Sequence, residues 1–115
     1  MDRYDRQKRV RQIGSAGQAK LQQATILIVG VGGLGSYAAA ALARAGVKRL
    51  ILVDPDVVSL TNLQRQALFT EDDCLHRRFK VAAAKDHLRE INNTVEVMAI
   101  PSPLTTDIIV DNQFD

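Results

Sequence analysis

Apolar residues fall in short runs separated by polar turns, and three of these runs have the character of strands. Thr25-Ile26-Leu27-Ile28-Val29 is β-branched and unbroken, which predicts a buried parallel strand covered on both faces. Arg49–Val53 and Val95–Ile100 predict two more strands of the same kind. The segments between them change to helical spacing. Ser36–Ala45 is Ala-rich, with Gly46 placed to end it, and Arg78–Ile91 spaces Val81, Ala84, His87, Leu88 and Ile91 along one helix face before Asn92 and Asn93 stop it. Ahead of the first strand, Arg3–Ile13 reads as a polar helix anchored by Tyr4, Val10 and Ile13 and ended by Gly14. A second short helix then starts at Ser15, which has Gln18 at capping-box distance. Residues 56–70 read as loop or short helix, and Thr105–Val110 as the start of another helix.

The order strand, helix, strand, helix, strand implies an α/β fold, a Rossmann-like parallel sheet with helices on both faces. The pattern describes the N-terminal half of a doubly wound fold: a helical arm over residues 1–24 followed by a Rossmann half over 25–115, together one partial nucleotide-binding domain. In such folds the ligand crevice lies where the strand order reverses. The strands on the other side of the first are expected beyond Asp115.

Composition narrows the class. A chain of 115 residues with 46% hydrophobic and 24% charged residues fits a single globular domain, and its one Cys excludes a disulfide scaffold or a metal site built on Cys pairs. Ala24–Ala43 carries no charge, but Gly30, Gly32, Gly33 and Gly35 would break a membrane helix at its middle. A secretory signal is excluded by the Arg-rich residues ahead of the first apolar run, so the cytoplasm is the expected compartment. Charge is unevenly placed. Up to Arg49 there are nine Lys and Arg against two Asp, whereas after it there are six against eleven acids. A basic front suits nucleic acid or phosphate, and equally a solvated helix.

Candidate chemistry begins at Gly30-Val31-Gly32-Gly33-Leu34-Gly35, a G-x-G-x-x-G loop that follows a strand and opens a helix. The first Gly permits the tight turn, the second lets phosphate approach the backbone, and the third allows the helix to pack on the strand. The helix start offers unpaired N–H groups to an anion. Asp54 ends the second strand, where a carboxylate accepts from ribose hydroxyls, and Asp56 is either its support or a plain loop carboxylate. The loop alone would suit an NAD-dependent oxidoreductase. The segment that follows, with Asn62, Arg65 and Gln66, and then Lys80, argues for a polyphosphate, since guanidinium and ammonium groups seek phosphate oxygens.

These motifs together resemble the ThiF/MoeB/HesA family, relatives of the ubiquitin-activating enzymes. The resemblance rests on Arg3-Tyr4-Asp5-Arg6-Gln7, the glycine loop, Asp54-Pro55-Asp56 with Ser59-Leu60-Thr61-Asn62-Leu63-Gln64-Arg65-Gln66, and Lys80-Val81 running to Ile91-Asn92, so that it covers residues 3 to about 100. It implies ATP-dependent adenylylation of the C-terminal carboxylate of a ubiquitin-like sulfur-carrier protein, with release of pyrophosphate. Gly30, Gly32, Gly33 and Gly35 would hold the phosphates and Asp54 the ribose, while Asn62, Arg65, Gln66 and Lys80 would surround the polyphosphate. Arg6 would act as an arginine finger across a homodimer interface. Magnesium would be bound by an aspartate expected past the chain end, which leaves these residues inactive alone. A non-catalytic dimerisation module of the same fold is the alternative, and a tRNA carboxylate is a second possible substrate.

The remaining polar residues read as structural. Cys74 follows Glu71-Asp72-Asp73 and is an inert thiol; His76 and His87 lack a ligand-spaced partner, and His87 falls on the apolar helix face; Arg77 and Arg78 read as solvated.

Overall fold

The computed structural model describes residues 2–115; Met1, counted in the expected arm, lies outside the described residues. The elements run α1 (Asp5–Lys8), α2 (Gly14–Leu21), β1 (Thr25–Val29), α3 (Gly33–Ala45), β2 (Arg49–Val53), a 3-10 turn at Leu60–Asn62, α4 (Glu71–Leu75), α5 (Lys80–Ile91), β3 (Glu96–Ile100) and α6 (Thr106–Asp111). The three strands form one parallel sheet in the order β1-β2-β3, with Leu27 level with Ile51 and Ile51 with Met98. The α/β, Rossmann-like class read from the alternation is the one observed.

Both crossovers step in the same direction, so α3 and α5 meet each other over the sheet. Leu50 and Leu52 point into the core they close, among Val31, Ala39, Ala43, Val81, Ala84 and Leu88. Ile51 and Val53, the alternate residues of β2, are also buried, as a central strand covered on both faces requires. β1 differs from expectation. It is only half-buried, and Val29 is 54% exposed, because β1 has a strand neighbour on one side alone. Its other edge is met by Asp115, which donates its N–H to the Thr25 carbonyl at 2.8 Å and accepts the Thr25 N–H at 2.8 Å. After β3 and α6 the chain has thus returned to the far side of β1, the place where a doubly wound sheet reverses its order.

The arm departs from its sequence reading in detail. The first helix is one turn, Asp5–Lys8, because only Tyr4 anchors it while Val10 lies exposed. Gly14 opens α2 where it was expected to end the helix before, and Ser15 does not cap it. What fixes the arm is a set of polar contacts to the last turn of α3: the Gln7 and Gln18 amides donate to the Ala45 carbonyl at 2.8 and 3.1 Å, satisfying a group the helix end leaves unpaired. Tyr4 lies against Gly46, where an added Cβ would come within 2.4 Å of its ring, and its hydroxyl accepts from Asn92 at 3.0 Å. Asn92 donates also to the Ala43 carbonyl at 2.8 Å, so one amide joins the arm to the ends of α3 and α5.

A helix absent from the sequence reading, α4, begins at Thr70. The Thr70 hydroxyl accepts the Asp73 N–H at 3.2 Å while the Asp73 carboxylate accepts the Thr70 N–H at 3.0 Å, a reciprocal cap whose Thr-x-x-Asp spacing was present in the sequence. Among the described residues no helix is long and apolar enough to cross a membrane.

Candidate nucleotide-binding site

At the carboxyl ends of the strands the chain turns tightly through the glycine loop. Gly30 leaves β1 at φ +89°, a left-handed conformation open to glycine, and donates its N–H to the Val53 carbonyl at 2.8 Å. Gly35 comes closer still: a Cβ there would lie 1.8 Å from the Gly30 carbonyl oxygen, so only glycine lets α3 start against the loop. The helix begins at Gly33, three residues ahead of the sequence reading, which leaves its first N–H groups unpaired at the rim of the sheet. With thirteen residues α3 also presents a full helix dipole there.

Asp54 ties this loop to the sheet. Its carboxylate accepts the Val31 N–H and the Asp56 N–H, each at 2.8 Å, and its own N–H donates to the Ile100 carbonyl at 3.3 Å. Although the residue is buried, each carboxylate oxygen retains a lone pair for a further donor. Asp56 is a support for Asp54 through its backbone, and its own exposed side chain lies 3.8 Å from the Lys80 ammonium. Lys80 is buried along its stem, and its N–H donates to the Asp56 carbonyl at 2.9 Å.

Arg65 and Gln66 reach the loop from the 3-10 turn. Cβ atoms built at Gly33 and Gly32 would meet Arg65 Cδ at 4.0 Å and Gln66 Nε2 at 3.8 Å. The Arg65 guanidinium donates to the Thr61 carbonyl at 3.0 Å and is otherwise exposed. Gln66 is 3% exposed, and its Oε1 is buried without a hydrogen-bond partner. The Asn62 Oδ1 accepts from the Ser59 N–H and hydroxyl, both at 3.0 Å, leaving the amide NH2 as the group a ligand could use. Its carbonyl accepts the Gln66 N–H at 2.9 Å.

The structure therefore links Gly30, Gly32, Gly33, Gly35, Asp54, Asp56, Asn62, Arg65, Gln66 and Lys80 by a chain of contacts at the carboxyl ends of the strands, while Arg6 stands apart. Arg6 is exposed on α1, which is bound at the last turn of α3, and thirteen helical residues place that turn about 20 Å from the loop. Residues the sequence reading passed over are Thr61 and Ser59, whose backbone and hydroxyl orient Arg65 and Asn62. One other was misread: Arg78 is paired with the buried Asp73 at 3.1 Å and with Asp86, rather than solvated. His87 is structural as read, and its ring also bonds the same Asp73 at 2.7 Å.

A cavity of about 760 Å³ opens elsewhere, between Val58–Leu60 and the α4 residues Cys74 and Leu75, and carries none of the phosphate-seeking groups. Among the described residues no three His, Cys, Asp or Glu side chains converge to hold a metal ion.

The residues fit a nucleotide: the loop leaves open space at Gly30, α3 starts beside it with unpaired N–H groups, Arg65 lies next to Gly33, and Gln66, next to Gly32, has a buried amide oxygen without a partner. The sequence model of the ThiF family matches residues 4–114. The chain belongs to the ThiF family. Its ThiF-type relatives include the sulfur carrier protein ThiS adenylyltransferase of Bacillus subtilis (strain 168), 43% identical over 113 residues, which covers 98% of this chain and 32% of that protein. The adenylyltransferase and sulfurtransferase MOCS3 of Mus musculus is 45% identical over 109 residues, 95% of this chain and 23% of its own length. Among solved structures, E. coli MccB with ATP superposes at a TM-score of 0.85 and 32% identity, over 99% of this chain and 35% of that one. This ThiF-family chain thus spans between a quarter and a third or so of the length of these relatives.

Proposed function

We propose that this chain is the ATP-binding portion of an adenylyltransferase that activates the C-terminal carboxylate of a ubiquitin-like sulfur-carrier protein, making an acyl-adenylate and pyrophosphate. The observation that carries the reading is a glycine loop that Asp54 anchors, with Arg65 beside Gly33 and Lys80 joined to Asp54 through Asp56. A relative named as a sulfur-carrier adenylyltransferase supports the substrate, and relatives named as adenylyltransferases favour ATP over a nicotinamide cofactor. Residues 1–24 and 25–115 act here as arm and body of one nucleotide-binding domain, in a cytoplasmic setting.

In this reading the loop N–H groups and the α3 start receive the ATP phosphates, and the Asp54 carboxylate accepts from a ribose hydroxyl. Arg65 and Lys80, with the Asn62 amide, offset the negative charge that grows on the α-phosphate and the leaving pyrophosphate. Such fixed charges accelerate phosphoryl chemistry because they need not reorganise as the transition state forms. The Gln66 Oε1 accepts a donor that binding brings. Magnesium, when bound, would supply further neutralisation of the phosphates.

Arg6 belongs to the neighbouring site. Its position at the far end of α3 keeps it from its own loop, which supports a homodimer in which each arm serves the other subunit's nucleotide. The test uses the full-length protein with MgATP and a purified carrier. Carrier-dependent exchange of labelled pyrophosphate into ATP is expected, with NADH competing poorly; exchange on tRNA instead of the carrier would overturn the substrate. Arg6→Ala and Arg65→Ala should each lose activity and recover part of it when mixed, and no recovery in the mixture would exclude the arm acting in trans.

A further inference from the structure

Between α4 and α5 the chain turns through Arg77 at φ +50°, a left-handed conformation that favours glycine. The group that holds this turn is Asp73, whose carboxylate is 1% exposed. One oxygen accepts from the Arg78 guanidinium at 3.1 Å; the other accepts from the Thr70 N–H at 3.0 Å, the Thr70 hydroxyl at 3.1 Å and the His87 ring at 2.7 Å. The backbone adds an Arg78 N–H to Asp73 carbonyl bond of 3.1 Å. One buried charge therefore joins the start of α4, the turn and the middle of α5.

The same three residues that leave the turn lie along the segment after β2. The Arg78 carbonyl accepts the Val58 N–H at 2.9 Å, Phe79 bridges Val57 in antiparallel fashion, and the Lys80 N–H donates to the Asp56 carbonyl at 2.9 Å. Lys80 is the first residue of α5, and the residue before it, Phe79, provides no side-chain cap. A helix start without a cap frays, so the place of Lys80 depends on the pairing of 78–80 with 56–58 and on the hold that Asp73 has on Arg78. The side-chain bonds of Asp73 run to Thr70, Arg78 and His87 and to none of the groups on the glycine-loop rim.

We propose that Asp73, acting through Arg78, is a positioning residue that sets where the Lys80 ammonium meets the nucleotide phosphates; this rests on the assignment of Lys80 to the polyphosphate. Removing the Asp73 charge takes from the Arg78 guanidinium its buried partner, leaving it with Asp86 and the Ala82 carbonyl of α5, and lets the turn relax, which moves Lys80 relative to Asp56 and to the loop. Lys80 is the charged group of the rim that directly follows this turn, so the effect of Asp73 on ATP should pass chiefly through Lys80.

A double-variant cycle on the full-length protein, titrated with MgATP by calorimetry, tests this. Asp73→Asn is expected to weaken ATP binding roughly tenfold, as displacement of a charged hydrogen-bonding group does. Lys80→Ala is expected to weaken it at least as much, and the double variant no further than Lys80→Ala alone. Independent, multiplying losses would overturn the proposal and leave the Lys80 assignment standing. An unchanged affinity in Lys80→Ala would overturn that assignment and the proposal with it. If Asp73→Asn does not fold, Arg78→Met carries the same cycle, since it removes the guanidinium and keeps the backbone bond to Val58.

Discussion

The Asp54 carboxylate accepts the Val31 N–H at 2.8 Å across the top of the sheet, so the residue that ends β2 holds the loop that ends β1. An acid read from the sequence as a ribose contact is also a brace for the phosphate cradle. Asp54→Ala leaves the fully buried Val31 N–H without an acceptor, at a cost of about 1–3 kcal/mol to the fold, measurable by urea denaturation. Asp54→Asn keeps an acceptor oxygen for the buried Val31 N–H but turns its NH2 to the part-buried Asp56 N–H, so it should lose less stability than Asp54→Ala while losing ATP affinity. Equal losses of stability in both variants would contradict the brace.

Within the glycine loop the two kinds of glycine should behave differently. Gly35→Ala forces a Cβ to within 1.8 Å of a backbone oxygen, so α3 must move off the loop and both stability and ATP binding should fall. Gly32→Ala meets only the tip of Gln66 at 3.8 Å and should leave the fold intact while obstructing phosphate. Thermal unfolding of the two variants beside MgATP titration separates the effects, and equal melting temperatures would show the packing argument to be wrong.

The arm is held at a single crowded point. Gly46 has φ +89° and a Cβ there would lie 2.4 Å from the Tyr4 ring, so Gly46→Ala strains the backbone and displaces the arm together. Faster proteolysis near Arg9 and Arg11 is expected, with the body of the fold still protected. If the arm serves a partner subunit, the same variant should also lose activity in the full-length protein.

Acid should weaken the protein partly through Asp73. Burial pushes this carboxyl up, but hydrogen bonds from His87 and Thr70 outweigh burial and hold it below the usual carboxylate range. A depressed carboxylate contributes stability that is complete above its unfolded value of about 3.9 and is lost as pH falls through the lower folded value. Denaturation curves from pH 6 downward should therefore steepen below about pH 4, and Asp73→Asn should flatten that part of the profile. An unchanged slope in the variant would assign the acid sensitivity to other groups.

Much of this was legible in the sequence because it depends on local pattern. The bounds of β1 and β2, the stop at Gly46, and the glycine loop opening a helix follow from periodicity and from the conformations only glycine adopts, and they came out as read. The burial of β1 did not, since covering an edge depends on which strands lie beside it. Ser15 failed as a cap because the arm is positioned by Gln7 and Gln18 reaching the Ala45 carbonyl, contacts between residues far apart in the chain. For the same reason Arg78 looked solvated, whereas a single buried Asp73 claims both it and His87. The residues of the candidate site could thus be chosen from the sequence by chemical type, but their grouping required the fold. Hydrogen-bond geometry at Asp54 and Asp73, and the docking of the arm at the far end of α3 that keeps Arg6 from its own loop, are set by long-range packing that no local spacing encodes.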